Sequence, residues 1–314
     1  MPTEAGRWLA IINPAAGRRD VCARWQAIEN ALREADVEVD TAETSGVGDA
    51  TRLVARAMSD GRHRFIAAGG DGSVNEVVQG VMESAPDTAH RVTLAAAPLG
   101  TGNDWARSIA MPVDTRGIAR AIASGRTMLH DVGAIDFPDE PAGSRRWFIN
   151  VAGAGYDADV VANVPRPVPS AISYLRIALS GLARYRSPQF RIRTDGDVIE
   201  DRLLLAFVAN ARYCGHRMHV APAALMDDGV LDVVAVRELS LPRLLPKLPK
   251  LYDGRILGDP VVRHLRTTRV RIDAQPKVVV QADGQLLYRT PAEFSIVSQA
   301  IRVITGPEAP QPSC

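Results

Sequence analysis

The chain is poor in cysteine: Cys22, Cys214 and Cys314 are the only three in 314 residues, and they show neither paired spacing nor a metal-ligand pattern. A disulfide framework is thereby excluded, and a reducing cytoplasm is the expected setting. No apolar stretch reaches the length a membrane-spanning helix needs. No charged-then-apolar leader opens the chain, whose first apolar run is the short Trp8–Ile12 segment, so no export signal is expected. The first third holds no G-x-x-x-x-G-K-[ST] phosphate loop and no G-x-G-x-x-G behind an expected strand, and Gly153-Ala154-Gly155 is a lone G-x-G of little weight. Repeats and low-complexity tracts are absent. The formal net charge of +1 says little by itself, and no nucleic-acid partner is expected.

What is present begins at Phe65, where the apolar run Phe65–Ala68 breaks into Gly69-Gly70-Asp71-Gly72 and restarts as Ser73-Val74-Asn75-Glu76-Val77-Val78. This pattern predicts a buried strand, a glycine turn and the first turn of a helix. Three glycines in four residues remove the Cβ atoms that would keep a ligand from the backbone. Ser73 and Glu76 fit a capping box that would set the helix start, and the positive end of that helix favours an anion. Asp71 would repel a bare phosphate, so it makes sense beside a metal ion or a proton donor. Two further units repeat the plan: Trp8–Ile12 runs into Asn13-Pro14-Ala15-Ala16-Gly17 ahead of a helical stretch from Asp20 to Ala35, and Leu94–Ala97 runs into Pro98-Leu99-Gly100-Thr101-Gly102-Asn103-Asp104. In an open parallel sheet such turns lie together at the carboxyl ends of the strands, where ligands bind. A shared nucleotide cleft is favoured over three unrelated turns.

These three motifs resemble those of the diacylglycerol kinase catalytic-domain family, in particular its soluble bacterial lipid kinases. The likeness continues through Phe148-Ile149-Asn150, Gly155-Tyr156-Asp157-Ala158, Val208-Ala209-Asn210 and Asp227-Asp228-Gly229-Val230-Leu231-Asp232 to Asp283-Gly284, nearly the whole chain in order. The resemblance implies an ATP- and Mg²⁺-dependent kinase acting on a lipid hydroxyl, with an α/β nucleotide-binding domain, a β-sandwich domain and an active site in the cleft between them. It places nucleotide contacts at Asn13, Gly17, Thr44, Gly69, Gly70, Asp71, Gly72, Ser73, Glu76, Thr101, Asn103 and Asp104. Asn103 and Asp104 could equally cap the helix that resumes at Trp105. It also implies a Mg²⁺ apart from the nucleotide, held by Asp228 with the backbone of Leu225 and Val230; on the residues alone, a solvated Asp-Gly turn is the plainer account. The family's Asp-Gly-Glu becomes Asp283-Gly284-Gln285 here, and Gln285 cannot accept a proton. Asp71 or Asp283 is then the expected base, or Gln285 binds a headgroup, or the chain binds without catalysing. Ser73 for the family's usual threonine keeps the hydroxyl, while Gly215-His216 departs from paired glycines; His216 and His219 make no convincing metal site. Alternative acceptors are a sphingoid base, phosphatidylglycerol or a soluble alcohol.

Strands are expected at Leu9–Asn13, Val37–Thr41, Phe65–Ala68 and Leu94–Ala97, with helices between. After about Asp131 strand-like runs follow one another: Trp147–Val151, Gln189–Arg193, Leu203–Ala209, Leu231–Val236, Val270–Ile272, Val278–Gln281 and Phe294–Val297. Helices are expected there only at Ser170–Tyr185 and Leu241–Leu251. This divides the chain into an α/β domain over 1–130 and a mainly antiparallel domain over 131–300; the resemblance implies that the first binds the nucleotide, that the second is a β-sandwich, and that the segment 301–314 returns to the first domain before a frayed tail. Arg166, Arg176, Arg184, Arg186, Arg191 and Arg193 span a stretch without acidic residues. A second basic region runs from Arg237 through Arg243, Lys247, Lys250, Arg255, Arg263, Arg266 and Arg269 to Arg271. Beside apolar helices such as Ser170–Tyr185, these cations could rest on anionic headgroups, making the protein peripheral to a membrane, although solvated surface is the default for such runs. A homodimer is allowed but not specified.

Overall fold

The structure, a computed structural model, describes residues 6–17, 20–164, 171–182 and 184–309, with the backbone alone at 171–175. Arg166, Ser170, the side chains of Ile172 and Leu175, and the tail beyond Ala309 lie outside what is described. Two compact units emerge, residues 1–131 with 298–314, and residues 132–297.

The first unit alternates strand and helix: β1 (Trp8–Ile12), α1 (Val21–Glu34), β2 (Val39–Glu43), α2 (Asp49–Ser59), β3 (Arg64–Gly69), α3 (Asp71–Ser84), β4 (Thr93–Pro98), α4 (Asp104–Ser108) and α5 (Thr115–Ser124). Its strands are parallel: β1 lies between β2 and β3, β4 lies beyond β3, and Arg302 and Val303 of the C-terminal strand run beside Thr93 and Leu94 of β4. β1, β3 and β4 are apolar almost end to end because both faces are covered. The strand order reverses between β1 and β3. That is the topological switch point, and it leaves a crevice outside the strands' carboxyl ends. α1 starts where Asp20 accepts the N–H of Ala23, as a helix cap should. β2 falls two residues later than the expected Val37–Thr41.

The second unit begins within β5 (Thr127–Asp136), which pairs with β6 (Arg146–Phe148); β7 (Val151–Gly155), α6 (Tyr156–Asn163), α7 (Ala171–Leu182), β8 (Gln189–Thr194) and β9 (Val198–Ala209) follow. Next come the short pair β10 (Tyr213–Cys214) and β11 (Met218–His219), β12 (Leu231–Arg237), α8 (Leu241–Leu244), α9 (Leu248–Tyr252), β13 (Val262–Thr267), β14 (Arg269–Gln275), β15 (Val279–Ala282), β16 (Gln285–Arg289) and β17 (Ala292–Ile304). β9 belongs to two layers: its start pairs with β8, and its end lies between β7 and β12. A sandwich results, filled by Phe148, Phe190, Phe294, Ile192, Ile272, Val208 and Val280.

Two expected elements come out differently and one appears unannounced. The single strand Trp147–Val151 is two strands, broken at Ile149 and Asn150, whose N–H groups turn to the Asp283 carboxylate. The helix Leu241–Leu251 is split by a 3₁₀ turn at Leu245–Lys247, since Pro246 and Pro249 remove helical donors. α6 was not expected; its start at Gly155 carries no side-chain cap to announce it.

Candidate active site

The three glycine turns at the ends of β1, β3 and β4 meet. Gly69 O accepts the N–H groups of both Leu99 and Gly100, at 2.8 and 3.0 Å. Asn13 Nδ2 donates to Ser73 Oγ at 3.2 Å across the switch point. A Cβ on Gly100 would stand 2.4 Å from Gly70 Cα, and one on Gly17, whose φ is +70°, would stand 2.7 Å from Leu99 O. Glycine is therefore obligatory at Gly100 and Gly17, because no side chain fits where the loops touch. Gly72 is the exception: a Cβ there meets nothing within 4 Å. A backbone bare of side chain, next to open space at the positive end of α3, is the cradle a phosphate needs.

The carboxylates do something else than the local sequence pattern expects. Glu76 does not close a capping box with Ser73, and α3 begins at Asp71 with no side-chain cap. Instead Glu76 reaches α2, accepting the N–H of Gly48 at 3.0 Å and of Ala50 at 3.3 Å. Asp71 likewise caps another helix: its two oxygens accept the N–H groups of Asp104 (3.1 Å) and Trp105 (2.9 Å) at the start of α4. Asn103, in the left-handed region at φ 53°, caps nothing; its amide donates to Gly100 O at 2.9 Å and braces the loop. Thr44 is half-buried and its N–H is spent on Ile12 O, while Thr101 is exposed. Sequence reasoning passed over Trp105, fully buried with its indole N–H on His130 Nε2, and Arg24 of α1, which donates to Leu99 O.

In the second unit, Asp283 and Gly284 form the two-residue turn between β15 and β16, with φ of 48° and 81°. Both Asp283 oxygens face inward and accept the N–H groups of Ile149, Asn150 and Val151 at 3.0–3.1 Å. All three bonds are charge-assisted, so taking up a proton would weaken them. Gln285, half-buried, opens β16. Behind the turn lies Asp157, fully buried. Burial lifts its carboxyl from 3.8 to about 7, with Gln281 and the N–H groups of Ala158 and of Asp157 itself working against the rise. A cavity of about 710 Å³ lies between α6 and the segment through α7, lined by Tyr156, Val160, Ile177, Gly181, Tyr185 and the exposed Arg184. Burial raises both tyrosines, Tyr156 to about 12, so both phenols stay neutral.

Residues 7–135 match the diacylglycerol kinase catalytic domain, and residues 150–305 match the YegS C-terminal NAD kinase beta sandwich-like domain. The chain belongs to the diacylglycerol kinase catalytic-domain family. It is a kinase. The diacylglycerol kinase of Bacillus subtilis strain 168 is 27% identical over 302 residues, 95% of this chain and 96% of its own. A solved Bacillus anthracis structure, described provisionally as a diacylglycerol kinase, superposes with a TM-score of 0.79 at 26% identity over 99% of this chain and 98% of that one. Yeast NADH kinase, at 12% identity, 95% and 83% coverage and a TM-score of 0.50, shares the fold alone.

With the kinase family established, the Mg²⁺ turn can be judged on its donors. Asp228 Oδ1 accepts the N–H of Val230 at 3.1 Å, and Oδ2 is hydrogen-bonded to the guanidinium of Arg266. Burial still holds this carboxyl above its ordinary value, against the pull of Val230 and Arg266. Asp232 is buried with Oδ1 on His264 Nε2 and Oδ2 without a protein partner. Among the described residues, no group of three or more His, Cys, Asp or Glu could hold a metal ion. The guanidinium of Arg266 thus takes one oxygen of Asp228, and the Val230 N–H takes the other, and no step is routed through a metal at this turn. The basic regions have partners: Arg191 pairs with Glu200, Arg193 with Asp273, Arg237 with Asp201 and Arg271 with Glu293, while Lys247 and Lys250 both pair with the buried Asp259, one of the three acids (with Glu238 and Asp253) that interrupt the second region in sequence. Burial works against the Asp259 charge, but the two lysines outweigh it and hold the carboxyl at about 2.

Proposed function

We propose that this kinase transfers the γ-phosphate of ATP, taken up as MgATP, to the hydroxyl of a lipid of the diacylglycerol type. The observation that carries the reading is the open cradle at Gly72 within three interlocked glycine turns at a topological switch point. Phosphoryl transfer passes through a loose transition state, so the protein's part is positioning and charge rather than covalent chemistry. In this reading Asn13, Gly17, Gly69 to Ser73, Thr101 and Asn103 hold the loops against the phosphates, and Thr44 edges the nucleotide. The proton leaves the hydroxyl late, and Asp71, in the loop nearest the phosphates, takes it; Asp283 is committed to three N–H groups, and Gln285 cannot act as a base. The cavity beside Tyr156, Val160 and Ile177, with Arg184 exposed on its wall, offers apolar and cationic surface of the kind a lipid and its headgroup need. Arg176, Arg184 and Arg186, exposed and close in sequence, are the cations best placed to touch an anionic membrane.

Gly72→Val tests the cradle. The new side chain has room and valine suits a helix no worse than glycine, so the variant folds with an unchanged circular dichroism spectrum and loses ATP binding by at least about tenfold. A folded variant with wild-type ATP affinity defeats the proposal. ADP release over a panel of diacylglycerol, sphingoid base, phosphatidylglycerol and soluble alcohols identifies the acceptor. No turnover on any of them, with ATP still bound, points to a binding protein that has lost catalysis.

A further inference from the structure

Gln281 lies on β15, almost fully buried, with both ends of its amide engaged. Its Nε2 donates to Asp157 Oδ2 at 3.1 Å, and its Oε1 accepts the N–H of Gly284 at 3.0 Å. Gly284 is the second residue of the turn that presents Gln285, where the resemblance puts the family's glutamate. One side chain thus joins a buried acid on α6 to the backbone of the turn. Asp157 has no slack: a Cβ on Gly153 of β7 would stand 2.0 Å from its Oδ2, so the strand beneath must be glycine for the carboxyl to sit there. Its other oxygen, Oδ1, is buried and makes no hydrogen bond among the described residues.

The geometry points to Asp157 and Gln281 as positioning residues that set the Asp283–Gly284–Gln285 turn according to the charge on Asp157. Its application to catalysis rests on the kinase reading above; the linkage itself does not. With Asp157 ionised, its oxygen can only accept. Gln281 must then offer Nε2 to it, which leaves Oε1 facing Gly284, and the bond is strengthened by the charge. With Asp157 protonated, the carboxyl can donate as well, the preference for this amide orientation weakens, and Gly284 competes for Oε1. Tyr156 and Asp159 lie within two residues of Asp157 on its own helix, and Tyr185, after α7, interacts with it electrostatically. From β7 and β15 it is faced by Gly153 and Gln281, neither of which titrates, and β16, which also packs on α6, carries Tyr288 and Arg289. Tyr156 and Tyr185 stay neutral, so the change of charge falls to the carboxyl, whose midpoint near 7 lies within the physiological range.

The test is the amide resonance of Gly284 in full-length protein labelled with ¹⁵N-glycine, followed from pH 5.5 to 8.5 without nucleotide or lipid. Wild type shows a titration with a midpoint near 7, and Asp157→Asn abolishes it. Gln281→Met, which fills the same space but makes neither bond, abolishes it too and serves if Asp157→Asn does not fold. A flat Gly284 resonance in wild type overturns the proposal, as does an unaltered titration in either folded variant. With diacylglycerol as acceptor, kcat carries the same ionisation in wild type and loses it in Asp157→Asn, while ATP affinity is the same in both. A titrating Gly284 in a protein that turns over no acceptor defeats the kinase reading and leaves this linkage standing.

Discussion

Asp71 and Asp283 each sit beside a glycine in a turn, and each accepts backbone N–H groups from a distant segment. The first caps α4 with two bonds from a half-buried position bordering open space; the second is buried, lies in the left-handed region and holds three consecutive N–H groups of a broken strand. The number of donors and the depth of burial separate a carboxylate that braces a ligand loop from one built into the interior. The same Asp-Gly dipeptide therefore does not imply the same duty.

Replacing each with alanine should separate them most sharply. Asp283→Ala strands three buried donors at roughly 1–3 kcal/mol each, so a loss of at least about 3 kcal/mol is expected. Asp71→Ala loses a helix cap, for about 1 kcal/mol. Urea unfolding midpoints measure both, and equal losses would break the comparison.

Asp157 extends the series: it is as buried as Asp283, but among the described residues Gln281 is its one side-chain donor. Its folded value of about 7 exceeds its unfolded 3.8, so the native state keeps a proton the unfolded chain has lost. The stability it contributes falls as pH rises from about 4 to about 7 and is flat above. Asp157→Asn removes that slope, and the variant should gain on wild type by roughly 2 kcal/mol between pH 5.5 and 8, at about 1.4 kcal/mol per pH unit. Thermal unfolding at the two values decides it, and parallel curves would mean that Asp157 does not titrate in this range.

The smallest effect belongs to Glu76, the carboxylate that caps α2 at a half-buried position. Glu76→Gln keeps one acceptor oxygen and should cost only about 0.5–1 kcal/mol, with ATP affinity unchanged in a calorimetric titration. A tenfold loss of ATP affinity would return Glu76 to the nucleotide site.

The strand–glycine–helix units were legible because their signals are local: an apolar run, a turn and a resumed helical period. What escaped was long-range. Nothing near Glu76 says that its partner is a helix beginning 27 residues earlier, and a local rule, the capping box, gave a plausible wrong answer. Asp71 and the start of α4 stand in the same relation. Asp283-Gly284 escaped for another reason. Asp-Gly between apolar runs is among the strongest hairpin signals, but it was read as chemistry, and β16 was missed. The first basic region looked unopposed because its counter-charges arrive on neighbouring strands: Glu200 faces Arg191 from β9, and Asp273 reaches Arg193 from β14.

The strand β17 finally bears on how the protein is made. The first unit's sheet has β4 beside β3, and the other side of β4 is covered by residues of β17 that are synthesised roughly two hundred residues later. At ribosomal speeds this is a delay of about 10–40 s. Throughout that interval a nascent chain carries an apolar strand, Thr93–Pro98, with one edge unpaired, the kind of edge that recruits strands from other chains. Until Arg302 and Val303 arrive beside Thr93 and Leu94, that edge is open to pairing with another chain.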